Sequence, residues 1–157
     1  MNADAMENTY RADIEQIVCE LFRSMLGTEV SLNPTASTPT QYPLTALVEL
    51  SGSWKGTLLI ACSHQQAICF ANRFLQCDDL ADVNEDVLSS LGELANIVGG
   101  NLKTAIGSGV RLGTPSVLQH VPDQPVGSAL VDHLAFDTDA GSFSVQLMKA
   151  PTPSLVA

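Results

Sequence analysis

Residues 84 to 106 constrain the fold more than any other part of this sequence. The segment contains no proline, and its apolar residues recur at helical spacing. Wound at about 100° per residue, Val87, Leu91, Leu94, Val98, Leu102 and Ala105 fall within an arc of about 80°. Ser89, Glu93, Asn96, Gly100 and Lys103 fall within a similar arc on the opposite side. A long helix this one-sided has to bury its stripe against other elements of the chain. Asp82-Val83-Asn84-Glu85 has the D-x-x-E form of a capping box at its start, and Gly107-Ser108-Gly109 ends it.

The rest of the chain reads as the material that covers the stripe. Leu44 to Leu50 and Thr57 to Cys62 are strand-like runs joined by Ser51-Gly52-Ser53, which predicts a hairpin. Val110 to His120, Gly127 to Asp137 and Ser142 to Lys149 read as further strands, separated by turns bearing Pro or Asp and Gly. Two more helices are expected. The first spans about residues 8 to 26, with Ala12, Ile14, Ile17, Val18, Leu21, Phe22 and Met25 inward and Gly27 as its stop. The second spans His64 to Leu75, with Ala67, Ile68, Ala71, Phe74 and Leu75 inward. A short strand near Glu29 to Leu32 precedes the proline-bearing connection from Asn33 to Pro43. This order predicts an α+β sandwich, an antiparallel sheet packed with helices on one face. Residues 1–150 are expected to form one domain and 151–157 a frayed tail. Alternation from Ser144 to Leu147 suits either core or an interface.

Composition narrows the function classes. The chain has 157 residues, 45% of them hydrophobic, enough for a core. Lys and Arg total 7 against 17 Asp and Glu, for a formal charge of −10. That balance opposes binding to nucleic acid, which needs a basic face, and docking on anionic lipid. No apolar run approaches the ~18 residues of a membrane span, and the polar N-terminus does not read as a signal peptide, so a cytoplasmic location is expected. Cys19, Cys62, Cys69 and Cys77 form no C-x-x-C pair and are expected as reduced thiols. No His, Cys and acidic set has a recognised metal spacing, so no metal site is expected. Gly107-x-Gly109 follows no strand, and the acids from Asp78 to Asp86 lack calcium-loop spacing.

The polar column on the long helix carries the sharpest signal. Glu93 and Asn96, three residues apart, stand side by side facing out, with Ser89 one turn before and Gly100 one turn after. An exposed Glu and Asn at this spacing are by themselves most often a solvated face. Gly99 and Gly100 together are less ordinary, because each glycine in a helix interior costs roughly 1 kcal/mol relative to alanine. Their missing side chains either admit another chain close to Glu93 and Asn96 or let an element of the same protein pack closely. Packing explains Gly99 at least as well, since it lies at the edge of the column. Approach by a partner is favoured for Gly100.

The stretch Ser89-Ser90-Leu91-Gly92-Glu93-Leu94-Ala95-Asn96-Ile97-Val98-Gly99-Gly100-Asn101-Leu102-Lys103 resembles the signature helix of the CheC/CheX/FliY phosphatases. That signature is Asp or Ser, three residues, Glu, two residues, Asn. The Gly-Asn-x-Lys continuation and the proline-bearing strand at Thr114-Pro115-Ser116-Val117 are similar to CheX-like members. The first helix lacks a Glu-x-x-Asn, so the chain resembles the single-site CheX type rather than the doubled CheC type. The resemblance implies a CheC/CheX-like sandwich with a single signature helix. It implies hydrolysis of the aspartyl phosphate on a CheY-like receiver domain, or, as an alternative, a non-catalytic receiver-binding adaptor or dimeric scaffold. Asn96 would position the attacking water, and Glu93 would pair with the receiver lysine. Ser89, Gly99 and Gly100 would face the partner. No cofactor is implied for this chain; magnesium is expected in the receiver. A homodimer is implied as well.

Overall fold

The computed structural model describes residues 10–34, 41–120, 122 and 126–151. Within them lie three helices and a seven-stranded sheet: α1 (Arg11–Leu21, continued by a π-helical turn, Phe22–Leu26), β1 (Ser31–Asn33), β2 (Leu44–Gly52), β3 (Gly56–Cys62), α2 (His64–Leu75), α3 (Glu85–Ile106), β4 (Val110–Leu112), β5 (Ser116–Leu118), β6 (Ala129–Thr138) and β7 (Gly141–Lys149). The strands run β1-β6-β7-β3-β2, and β4 and β5 both lie along the far edge of β2. All pairs are antiparallel. The α+β class and the helix-on-sheet layering follow the sequence reading. The tail beyond residue 151, and residues 8 and 9 of the expected first helix, lie outside the described residues.

Alternation explains which face of the sheet is covered. Leu44, Ala46, Val48 and Leu50 of β2 share a face with Leu58, Ile60 and Cys62 of β3 and with Val145 and Leu147 of β7. These side chains are buried in one continuous core with Ile14 and Val18 of α1, Phe70 of α2 and Leu91, Leu94 and Val98 of α3. Four phenylalanine rings fasten the layers together. Phe143 stacks on Phe22 and Phe136 at centroid distances of 5.0 and 5.3 Å, and Phe70 meets Phe22 and Phe143 edge-on. The Ser144-to-Leu147 segment is therefore core: Ser144, Val145 and Leu147 are buried in a strand with neighbours on both sides.

Several local expectations need correction. The run from Val110 to His120 is two short strands. β5 pairs with Thr45–Leu47 and β4 with Leu50–Gly52, while Gly113-Thr114-Pro115 bridges them. Pro115 has no N–H to give a ladder, and the Gly113 N–H donates to the Glu49 carbonyl at 2.8 Å to hold the link in place. The cap of α3 is Asn84, whose side-chain oxygen accepts from the Val87 N–H at 3.0 Å; the D-x-x-E pattern starting at Asp82 begins two residues too early. Ala105 is exposed. In α1, Ala12 and Met25 are exposed as well. Met25 turns out because the chain widens to π geometry at Phe22, which puts Leu26 into the core in its place. Gly27 then ends the helix in the left-handed region at φ 64°. The four cysteines are free thiols, and burial pushes the Cys62 thiol up to about 12.

Candidate functional site

α3 lies across β2 and against β4 and β5, and α1 and α2 flank it. The buried side is broader than the apolar stripe, since Ser90, Gly92, Ala95 and Gly99 are buried beside Val87, Leu91, Leu94, Val98 and Leu102. One side of the helix remains for solvent. On it stand Ser89 and Glu93, both exposed, and Asn96, Gly100 and Lys103, all half-buried. The polar column expected from spacing is therefore present as one continuous strip. Neither the Glu93 carboxylate nor the Asn96 carboxamide is engaged by a hydrogen bond or ion pair with another described residue. Both groups remain available to a partner.

The two glycines part ways. A Cβ on Gly99 would stand 2.8 Å from Val48 Cγ1 and 2.9 Å from Leu112 Cδ1. Gly99 is thus the close-packing point where α3 crosses β2 and β4, and its expected contact with a partner is corrected: it is buried against the sheet. A Cβ on Gly100 would meet only Leu112 Cδ2, at 3.8 Å. Gly100 is therefore a shallow place in the strip immediately after Asn96. A substitution pair separates the roles. Gly99→Ala gains about 1 kcal/mol of helix propensity but strains a buried contact, whereas Gly100→Ala gains the propensity alone. Gly99→Ala is expected to be less stable than Gly100→Ala by about 1–3 kcal/mol in urea unfolding.

The wall on the sheet side is built from the interrupted edge strand. Gly92 allows Val117 and Pro115 to pack against α3, at 3.5 and 3.8 Å from where its Cβ would be. Opposite, Asn101 donates its side-chain amide to the Ile97 carbonyl at 2.9 Å. A small groove of about 220 Å³ separates this flank of α3 from α1. Sequence reasoning missed the groove, because Met25 counted as core at helical spacing.

Among the described residues no three His, Cys, Asp or Glu side chains converge as a metal site. The strip on α3 is an open face of the helix. Its polar groups are few, outward and flat, which suits contact with a macromolecular surface better than enclosure of a small molecule. No helix among the described residues is long and apolar enough to cross a membrane.

Comparison with solved structures places this fold. The chain is similar to the chemotaxis protein CheX of Desulfovibrio desulfuricans, at 20% identity over 88% of this chain and 97% of that one, with a TM-score of 0.70. It is similar to CheX of Vibrio vulnificus, at 17% identity over 85% and 94%, with a TM-score of 0.74. A third similar chain comes from the CheX-CheY-BeF3-Mg complex of Borrelia burgdorferi, at 18% identity over 91% and 98%, with a TM-score of 0.70. No curated protein matches the chain by sequence. The family described as chemotaxis phosphatase CheX matches residues 44–124, from the first strand of the hairpin through α3 and the interrupted edge strand. With more than half its length matched, and with the strip of α3 at the centre of the match, this chain belongs to the CheX family.

Proposed function

We propose that this protein hydrolyses the aspartyl phosphate of a CheY-like receiver domain. The observation that carries the reading is the unengaged pair of Glu93 and Asn96, one helical turn apart on the open side of α3, with Gly100 leaving space beside them. Family membership and a CheX relative solved with CheY support the choice of partner.

The chemistry asked of this chain is small. An acyl phosphate is already activated, and a receiver supplies magnesium and a lysine of its own. What is lacking is an ordered water in line with the phosphorus. Water attacks phosphorus, the bond from phosphorus to the aspartyl oxygen breaks, and the carboxylate and inorganic phosphate separate. The Asn96 carboxamide can accept from the attacking water and donate to the phosphoryl group. Glu93 would pair with the receiver lysine and fix the register of the helix. Ser89 lies on the same strip and would meet the receiver beyond Glu93.

The test mixes this protein with a magnesium-loaded, phosphorylated CheY-like receiver and follows loss of the phosphoryl group. Faster loss than the receiver shows alone is the expected result. A panel of receivers from the same cell that all bind without faster loss would replace this reading with that of an adaptor.

A further inference from the structure

The groove between α1 and α3 lies beside the catalytic strip. Ile97 follows Asn96 directly and is one turn after Glu93 on the α1 side of α3. Asn101 lies one turn beyond it. Across the groove stand Ile17, Glu20, Ser24 and Met25 of α1 and its π turn. Ile97 and Ile17 are half-buried, and Met25 is 42% exposed, one of few large apolar side chains left in the open among the described residues.

Two linked features mark this groove as more than a packing gap. The first is the π turn itself. A regular α-helix would carry Met25 on the inward stripe with Leu21 and Phe22. The wider turn over Phe22–Leu26 buries Leu26 and sends Met25 to the rim. Such π insertions weaken the helical ladder and are often found at functional sites. The second is the side chain delivered there. Methionine is unbranched and polarisable, and adapts to varied apolar partners. Glu20, Ser24 and Asn101 surround the apolar floor with a polar rim, the anatomy of a small docking patch.

We propose that this groove receives an apolar side chain of the receiver domain, presented beside the cationic group that Glu93 meets, and that Met25 thereby sets which receivers the protein accepts. The proposal rests on the phosphatase reading. A receiver surface seated on Glu93 and Asn96 would reach Ile97, the next residue of the helix and one turn after Glu93, and Met25 lines the same groove from α1. The groove would contribute binding strength and selectivity and would leave the reacting atoms untouched.

The experiment measures dephosphorylation rate against receiver concentration for the parent protein and for Met25→Glu, Met25→Lys and Met25→Leu. Because Met25 is at the surface, thermal unfolding should be little changed in all three. Both charged variants are expected to raise the half-saturating receiver concentration about tenfold, with the maximal rate within about twofold of the parent. Met25→Leu should stay near the parent value. The two opposite charges separate loss of an apolar contact from electrostatic repulsion. Titration against the receiver carrying beryllium fluoride should show the same order of affinities. Charged variants with an unchanged half-saturating concentration would overturn the proposal and leave the phosphatase reading standing, as would variants that altered only self-association. A parent protein that neither binds nor accelerates any receiver would overturn both.

Discussion

Replacing Asn96 by alanine is expected to lower the maximal rate of receiver dephosphorylation by about 100-fold or more while leaving receiver binding within a few-fold of the parent. The magnitude follows from the role. A water misplaced by about 1 Å from its line of attack can cost a factor of about 100, and without the carboxamide nothing on the strip of α3 orders that water. Binding is retained because Glu93, Ser89 and the surface beyond Gly100 stay in place. Folding is not the explanation for such a loss. Asn96 is half-buried and makes no hydrogen bond to another described residue, and alanine is the better helix former by up to about 0.7 kcal/mol. Thermal unfolding of the variant should therefore be unchanged or slightly raised. The measurement pairs single-turnover decay of the phosphorylated receiver with a binding titration on the receiver carrying beryllium fluoride. Glu93→Ala should show the complementary pattern, with weaker binding as well as a slower rate, since the pairing it loses orients the whole helix. An Asn96→Ala protein of full activity would remove Asn96 from the chemistry and with it the mechanism proposed above.

Glu93 and Asn96 were legible in the sequence because α3 is long and strictly patterned. Its apolar positions define an inside, and whatever lies opposite must be outside. The resemblance then gave two ordinary polar residues a role that spacing alone would not give them. The less regular parts resisted for identifiable reasons. Met25 fits the inward stripe of α1 as long as the helix is assumed regular, and a π turn leaves no mark in apolar periodicity. Gly99 and Gly100 differ in sequence only by their angle on the helix, which leaves Gly99 open to either role. What decides between them is how closely the sheet approaches, with Val48 and Leu112 within 2.9 Å of a Cβ on Gly99 and only Leu112, at 3.8 Å, near one on Gly100, which is a tertiary fact. Val110 to His120 reads as one strand because its residues suit a strand throughout, with Pro115 as part of it; that the chain breaks there and resumes on the same edge of β2 is set by the pairing. Ala105 belongs to the stripe by angle and is exposed all the same, because the angle says nothing about how far along the helix its covering extends.

Asp132, which alternation with Leu134 and Phe136 turns inward, carries the largest expected effect on stability. The carboxylate lies on β6 immediately after a bulge between Leu130 and Asp132, opposite Leu147 of the core. Asp132 shares the inward face with Leu134 and Phe136 at a period of two, and the bulge before it displaces residues 129–131, so a charged residue occupies a core-facing position of the strand. Asp132 is 1% exposed, and neither carboxylate oxygen has a hydrogen-bond partner. Burial raises its pKa from 3.8 to about 6, and the nearby polar backbone of Tyr10, which makes no hydrogen bond to the carboxylate, and the Arg11 charge only partly oppose that shift. The folded protein therefore holds this proton more tightly than the unfolded chain does. Protonated Asp132 stabilises the fold fully below about pH 4, and that contribution is lost as the pH rises through about 6. Two units of pKa correspond to about 3 kcal/mol. Asp132→Asn is neutral at every pH, so whatever fixed effect the amide has on packing is the same in acid and base. Relative to the parent, the variant is expected to gain about 2–3 kcal/mol in stability between about pH 4 and about pH 8, read from urea unfolding at each pH. His133, whose buried imidazole is pushed below its ordinary value by desolvation and by Arg11, is common to both proteins and drops out of the difference. A difference between the two proteins that does not vary with pH would mean that the Asp132 carboxylate is solvated or paired in solution, and that β6 does not carry it into the core.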